Sequence, residues 1–388
     1  MDSGDGEKVV KVGSRKSQLA LIQTNSVIDS LKLFHPNARF EIVEMNTTGD
    51  KILDKPLPKI GEKSLFTKEL EVALEEGSVD FVVHSLKDLP TTLPDNLAIG
   101  GICKRENARD AVIIHPKLEA KSLSELAKNS IVGTSSLRRV AQVRQLYPDL
   151  EVKSIRGNLN TRLSKLTNSV VDSNNKDAEN PLQYSAIMLA VAGIERMGWE
   201  NKISQILEPS EIMYAVGQGA LAIECRSDDQ KTVDFLAPLH DRSTVLRVVA
   251  ERSLLKKLGG GCSAPVAVNC TLDDNDNLSL EAGVWSLDGK KSLKKKLSAV
   301  IATKDEPPKK MTKKEDTLFA GILAGKLLKD ELEMAQDLGI KVAEELVAEG
   351  ALDIMEEARA ENEKPEEVKK FKEEIKNGAS DKLVQEQR

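Results

Sequence analysis

Hydrophobic and polar positions alternate between two periods along the chain up to about residue 230. Lys8–Gly13 (KVVKVG) has the short apolar run of a strand. Ser17–Phe34 follows, with Leu19, Ile22, Ile28 and Leu31 on a helical period and Ser17 placed near the N-cap. Arg39–Met45 is strand-like and Leu65–Leu74 helix-like. Asp80–His84 (DFVVH) is a short apolar strand that runs into Ser85-Leu86-Lys87-Asp88-Leu89-Pro90. Further strands are expected at Ala111–His115, Ser130–Thr134, Glu151–Ile155 and Ser185–Ala190. Helices are expected at Ser122–Ala127, at Ser136–Leu146 and after Ala190 through Met197. This alternation predicts α/β layers with mainly parallel strands, whose ligands sit at the carboxyl ends of the strands.

The character changes after about residue 235. Thr244–Leu258 has a strong helical pattern and leads into Gly259-Gly260-Gly261-Cys262-Ser263-Ala264-Pro265. Val266–Cys270, Leu278–Trp285 and Ser292–Ile301 read as strands of an antiparallel sheet, and a helix around Ala335–Ala348 closes a smaller α+β unit. From about Glu356 the chain is rich in Glu and Lys, the composition of a solvated helix or a disordered tail. Asn168–Asn180 reads as a disordered polar insertion. Asn46–Ser64 has glycine, proline and charge with little periodicity, which fits either a mobile lid over a site or a plain surface loop.

Composition narrows the function classes. A chain of 388 residues with 40% hydrophobic content suits two or three ordinary domains. Its net charge of −6 and 3% aromatic content argue against a general nucleic-acid binder, which needs a basic footprint and stacking platforms. The longest apolar run, near Ala186–Ile194, is far shorter than the roughly 20 residues of a membrane span. The acidic start MDSGDGEK has neither secretory nor transit character, so a cytosolic protein is expected. Cys103, Cys225, Cys262 and Cys270 lie far apart without CxxC spacing, as reduced thiols do. His35, His84, His115 and His240 do not cluster, and no metal site is expected.

Three segments could carry chemistry. Lys87 and Asp88 directly follow an apolar strand, and Pro90 stops its ladder. Such a pair is either a solvated turn or a carboxylate placed to stabilise a developing cation. Gly133-Thr134-Ser135-Ser136-Leu137-Arg138-Arg139 brings hydroxyls, backbone N–H groups and two arginines to a helix N-terminus, an anion site on physical grounds. Arg156 and Arg162 follow the next strand, and Arg15 and Ser17 occupy the first strand–helix junction. Several arginines at strand ends of an acidic protein point to a ligand with several carboxylates or phosphates. The absence of GxGxxG and Walker motifs argues against a nucleotide. Cys262 behind three glycines is either a small buried apolar residue or a nucleophile or attachment point.

Taken in order, VGSRKSQLALIQT, GEKSLFTKEL, VVHSLKDLPT, GTSSLRR, SIRGNLNTRL, GIERMGW, YAVGQGALAIE and GGGCSAPVAV closely resemble the porphobilinogen deaminase (hydroxymethylbilane synthase) family from about Lys8 to about Asp353. VWSLDG near Trp285 is similar to the animal-type cytosolic form. The resemblance implies two domains similar to periplasmic binding proteins with a cleft between them, residues 1–108 with 209–232 and residues 109–208. A smaller α+β domain over 233–355 and a charged tail over 356–388 follow. It implies a dipyrromethane cofactor held by a thioether to Cys262, and Asp88, with Lys87, as the catalytic pair. Four porphobilinogen molecules are then joined head to tail with loss of ammonia, Asp88 acting as an ionised carboxylate beside pyrrole nitrogens that pass through positive charge. Lys87, Asp88, Ser135, Arg138, Arg139 and Arg162 match residues around the cofactor. Arg15, Ser17, Gln23, Phe66, Arg156, Gly157, Arg196 and Gln218 match those around the substrate, although Phe66 also reads as a core helix residue. A monomer is expected, with no nucleic-acid or membrane partner.

The chain departs from the family pattern in the long 168–180 segment, in Asp305–Asp316 and in the tail. Two rival readings of the residues stand beside the resemblance. A cytosolic, non-enzymatic binder of a polycarboxylate would need the anion cleft but not the Cys262 unit. A phosphate-handling transferase would need a glycine-rich phosphate loop or metal ligands that the sequence lacks.

Overall fold

The computed structural model describes residues 9–47, 67–168, 184–260, 264–301 and 318–362. In chain order these form β1 (Val9–Arg15), α1 (Gln18–Phe34), β2 (Arg39–Met45), α2 (Lys68–Glu75), β3 (Phe81–Ser85), β4 (Leu97–Ile102), β5 (Asp110–Ile114), β6 (Ile131–Gly133) and α3 (Leu137–Leu146). Then come β7 (Glu151–Lys153), α4 (Leu159–Thr167), β8 (Ala186–Ala190), α5 (Val191–Arg196), β9 (Gln205–Ile206), β10 (Leu221–Arg226), α6 (Gln230–Leu236) and α7 (Arg242–Lys257). The last are β11 (Val266–Leu272), β12 (Asn277–Trp285), β13 (Ser292–Val300), β14 (Leu318–Phe319), β15 (Ile322–Leu323), α8 (Lys329–Ala348) and α9 (Ala351–Asn362).

Two α/β sheets and a third antiparallel sheet organise the chain. The first runs β14-β15-β4-β10-β3-β1-β2, the second β7-β6-β8-β5-β9 and the third β11-β12-β13. The expectation of mainly parallel strands needs correction, because both larger sheets are mixed. β10 returns antiparallel between β3 and β4, and β5 pairs antiparallel with both β8 and β9. Parallel pairing is kept for β1 with β2 and β3, and for β6 with β7 and β8. β10 is the strand by which the chain returns to the first sheet after forming the second.

Three element expectations also change. Ser122–Ala127 forms only a 3-10 turn at Leu123–Glu125, a short segment in which helix nucleation is costly. β4 (LAIGGI), absent from the sequence reading, is buried at every position. Its two glycines look like a breaker but are packing residues: a Cβ on Gly100 would lie 2.8 Å from the Cys225 sulfur of β10. The helical stripe of α1 is rotated from the expected one. Leu19 and Ile22 are half-buried, whereas Ala20, Gln23, Thr24, Val27, Ile28 and Leu31 face inward. Polar Gln23 and Thr24 belong to that face because strand-end hydroxyls satisfy them, Thr24 donating to Ser14 at 2.8 Å.

The smaller α+β unit shares its core with the first sheet. Val245, Leu246, Val249 and Leu254 of α7 pack in one cluster with Val268, Leu280 and Val284 of its own sheet and with Leu86, Leu89, Ile99 and Ala222 of the first. β14 and β15 add to the edge of the first sheet beside β4. The chain beyond Glu356 is not wholly solvated, because α9 continues to Asn362 and buries Ala358. Among the described residues no helix is long and apolar enough to cross a membrane.

Candidate active site

β3 is buried from Phe81 to His84 and stops where Ser85 leads into a 3-10 turn, Leu86–Asp88. Leu86 and Leu89 are drawn into the core, 1% and 4% exposed. The Leu86 N–H donates to the Ala220 carbonyl at 3.0 Å and the Leu89 N–H to the Leu86 carbonyl at 3.2 Å. With both leucines turned inward, the turn leaves Asp88 exposed and Lys87 half-buried. Arg15 at the end of β1, Ser17, Gln23, Thr67, His84, Ser85 and Asp88 line one concavity. Ser17 accepts the Ala20 N–H at 3.3 Å as the cap of α1, and the Gln23 amide donates to Ser85 at 2.9 Å. The α1 N-terminus and the β3 end are thus fastened to each other on either side of the concavity.

The second sheet presents its own carboxyl ends to the same cleft. After β6, Ser135 donates to the Ile155 carbonyl at 2.6 Å. After β7, the turn at Gly157 takes φ +114°, which L side chains rarely adopt, and a Cβ there would meet Thr161 at 2.6 Å. The Gly157 carbonyl in turn accepts from Arg162 Nε at 2.8 Å. Asn158 caps α4 by accepting the Thr161 N–H. Asn160 Nδ2 donates to Gln18 Oε1 at 2.9 Å, joining α4 to α1.

Charge couples the two sides. Burial pushes the Lys87 ammonium down to about 8. Asp88 opposes that shift, Arg139 and Arg138 add to it, and Asp110 opposes it. Burial likewise lowers Arg162 to about 10, reinforced by Arg139 and Arg156 and opposed by Asp88. Burial lowers Arg156 as well. Among the described residues Lys87, Arg138, Arg139 and Arg162 interact with Asp88 and Asp110, four cations against two carboxylates. A ligand bearing several carboxylates would neutralise that surplus.

Not every residue expected at the site is presented to it. Arg138 and Arg139 are buried and both grip Asp110, each at 2.7 Å. Arg138 also donates to the Met213 carbonyl, and Arg139 to that of Met188. Burial raises the Asp110 carboxyl, but the two guanidiniums outweigh it and hold the group well below the usual carboxylate range. Gln218 spends its amide hydrogens on Ala108 (2.6 Å) and Asp110 (2.8 Å). Arg196 pairs with Glu106 at 2.8 Å and donates to the Gly219 carbonyl at 3.0 Å. In this structure Gln218 is a bridge within the protein, and Arg196 is anchored to the crossover between the sheets. Phe66 and Cys262 lie outside the described residues, as do residues 48–64 of the Asn46–Ser64 loop and residues 169–180 of the polar insertion.

Sequence reasoning missed Asp110, which organises both arginines. Its only signal is an acidic residue heading a wholly buried strand, DAVII. It also missed the buried pair behind the concavity, in which His84 Nε2 lies 2.9 Å from Glu224 of β10. Close by, burial raises the Glu71 carboxyl.

Two family models match the chain: "Porphobilinogen deaminase, dipyromethane cofactor binding domain" over residues 10–234 and "Porphobilinogen deaminase, C-terminal domain" over residues 245–315. A porphobilinogen deaminase of Gloeobacter violaceus is 51% identical over 73% of this chain and 83% of its own length. That of Brevibacillus brevis is 43% identical over 91% of this chain and 98% of its own. The effector-binding domain of BenM with benzoate aligns at 16% identity and a TM-score of 0.35, over 60% of this chain and 90% of that one. At that score the fold rests on the sheets described above.

Proposed function

This chain belongs to the porphobilinogen deaminase family, and from that premise we propose that it joins four porphobilinogen molecules head to tail, releasing ammonia and yielding hydroxymethylbilane. The observation that carries the reading is the exposed Asp88 carboxylate on its turn, facing a cleft with a surplus of buried and half-buried cations.

Each porphobilinogen brings an acetate and a propionate, so a growing chain adds about two negative charges per ring. Arg162, Lys87 and the pair on Asp110 supply the field that holds them, and Ser135 stands at the same strand ends. Arg15, Ser17 and Gln23 lie beside Asp88 in the concavity and are the groups we assign to the incoming substrate, with Arg156 and Gly157 from the turn after β7. Asp88 stabilises positive charge as ammonia leaves the aminomethyl group and the ring becomes an electrophile. The same exposed carboxylate is the group we assign to receive the proton lost after the new bond forms. The dipyrromethane, when bound, supplies a pyrrole with a free α-carbon as acceptor, and Cys262 is the residue we assign to its thioether. The surplus of cations suits that group, since its side chains are carboxylates too.

The division into 1–108 with 209–232, 109–208 and 233–355 is the arrangement we propose to carry the cleft and the cofactor. We propose that the chain acts as a monomer. Free thiols at Cys103, Cys225 and Cys270 fit the cytosol.

Intact-mass measurement of the chain incubated with porphobilinogen tests the reading. The expected result is a dipyrromethane adduct that is absent from Cys262→Ser, and a ladder of added pyrroles in the wild type. Asp88→Asn should melt like the wild type yet turn over about a thousandfold more slowly. A bare chain that gains no pyrrole, or a fully active Asp88→Asn, overturns the assignment.

A further inference from the structure

Arg252 lies in the middle of α7 and is 1% exposed. Among the described residues no carboxylate pairs with it. Its guanidinium instead makes three hydrogen bonds to main-chain carbonyls, at 3.0 Å to Ala320, 3.3 Å to Leu89 and 2.8 Å to Pro90. Leu89 and Pro90 directly follow Asp88, and Leu89 closes the turn by bonding back to Leu86. Ala320 belongs to the β14–β15 hairpin on the edge of the first sheet, where it adopts a left-handed backbone with φ 49°. The next residue, Gly321, passes so close that an added Cβ would lie 3.4 Å from Arg252 Nη2, and its carbonyl accepts the Ile99 N–H of β4.

A buried cation with only neutral partners is costly, and an apolar residue of similar length would avoid the penalty. What an apolar residue cannot do is hold three carbonyls that diverge from one point. The planar fork of five N–H donors does this. Burial lowers the guanidinium to about 10, with Glu224 the one charge opposing that shift, so it stays charged at neutral pH. The three carbonyls lie far from Arg252 in sequence, 162 and 163 residues before it and 68 after it. They belong to the segment that leaves the Asp88 turn and to the hairpin packed beside it.

We propose that Arg252 is a positioning residue for the Asp88 turn: by holding the Leu89 and Pro90 carbonyls against the Ala320 hairpin, it sets where the Asp88 carboxylate stands in the cleft. The inference rests on the reading of Asp88 as the catalytic carboxylate. Arg252 is buried and is not among the residues lining the concavity. It acts through the backbone that carries Asp88, and displacing such a group by about 1 Å costs on the order of a hundredfold in rate.

The test uses the full cofactor-loaded chain with Arg252→Lys and Arg252→Gln. Turnover is expressed per loaded chain, counted by intact mass, so that loss of folded or loaded protein does not mimic a slower reaction. In Arg252→Gln, kcat per loaded chain should fall about a hundredfold with KM little changed. Arg252→Lys, which keeps the charge but reaches fewer carbonyls, should fall in between. Hydrogen exchange gives a readout independent of activity: the Leu86 and Leu89 amides should exchange faster in both variants, with β11 and β12 unchanged. Native kcat per loaded chain in Arg252→Lys, or exchange that rises uniformly over the molecule, would overturn the inference. If Arg252→Gln does not fold, Arg252→Lys carries the test alone. Asp88→Asn measured in parallel separates the two claims. A fully active Asp88→Asn removes the catalytic reading and this inference with it, whereas a dead Asp88→Asn beside native Arg252 variants removes only the inference.

Discussion

Lys87 interacts with Asp88 on one hand and with Arg138 and Arg139 on the other, and burial holds its ammonium down to about 8. A cation with a folded value below its unfolded one opposes folding while protonated, so this group's contribution to stability improves as pH rises from about 8 towards 10.5. Its contribution to catalysis runs the other way, because the charge that attracts carboxylates is lost over the same range. We expect kcat/KM to fall as pH rises through about 8, and Lys87→Arg, charged at every accessible pH, to remove that alkaline limb. A pH–rate profile of both proteins decides it, and an unchanged limb in Lys87→Arg would assign it to another group. At this scale the sequence was legible in residue type and not in partner. Arg138 and Arg139 announce an anion site by standing at a helix N-terminus, yet the anion they bind inside the protein is Asp110, 28 and 29 residues away in sequence. Nothing local marks that pairing.

At the scale of elements, periodicity located α1, β2, β3, α3, α7 and the three strands of the antiparallel sheet, because each writes its burial into contiguous residues. It failed where glycines interrupt a buried run or where a turn carries the structure. β4 (LAIGGI) carries two glycines that read as a breaker, and α4 follows a turn whose signal is one glycine. That turn yields a prediction. Gly157→Ala places a side chain at φ +114° and against Thr161, so it should destabilise the protein by about 1–3 kcal/mol. It should also weaken substrate binding, since the Gly157 carbonyl holds Arg162. Thermal unfolding and KM measure the two effects, and a KM that stays native while the melting temperature drops would detach this turn from binding.

At the scale of the whole molecule, two buried carboxylates hold the crossovers between sheets. Asp110 gathers Arg138, Arg139 and Gln218. Glu251 of α7 binds Arg105 at 2.6 and 3.1 Å and accepts the Gly217 N–H at 2.8 Å, while Arg105 Nε donates to the Gln218 carbonyl. Gln218 therefore lies between both hubs, which is why a residue matched to substrate binding serves here as a strut. Burial disfavours the Arg105 cation, but Glu251 outweighs it and raises the group above its ordinary value. Glu251→Ala would leave that cation buried without its partner and should cost about 3–5 kcal/mol, read as a lower denaturation midpoint, with Glu251→Gln losing less. An unchanged midpoint would mean that water or a shifted side chain replaces the carboxylate. The sequence by itself determined the alternation of elements, the separate antiparallel unit, the strand-end position of Lys87, Asp88 and the arginines, and the family, since each is written in neighbouring residues or in ordered motifs. Only the tertiary structure decided that both large sheets are mixed, that Arg138, Arg139 and Gln218 converge on Asp110, and that α7 reaches the Asp88 turn through Arg252. Those facts depend on residues tens to more than a hundred positions apart, and the folded chain alone determines which of them share a buried charge.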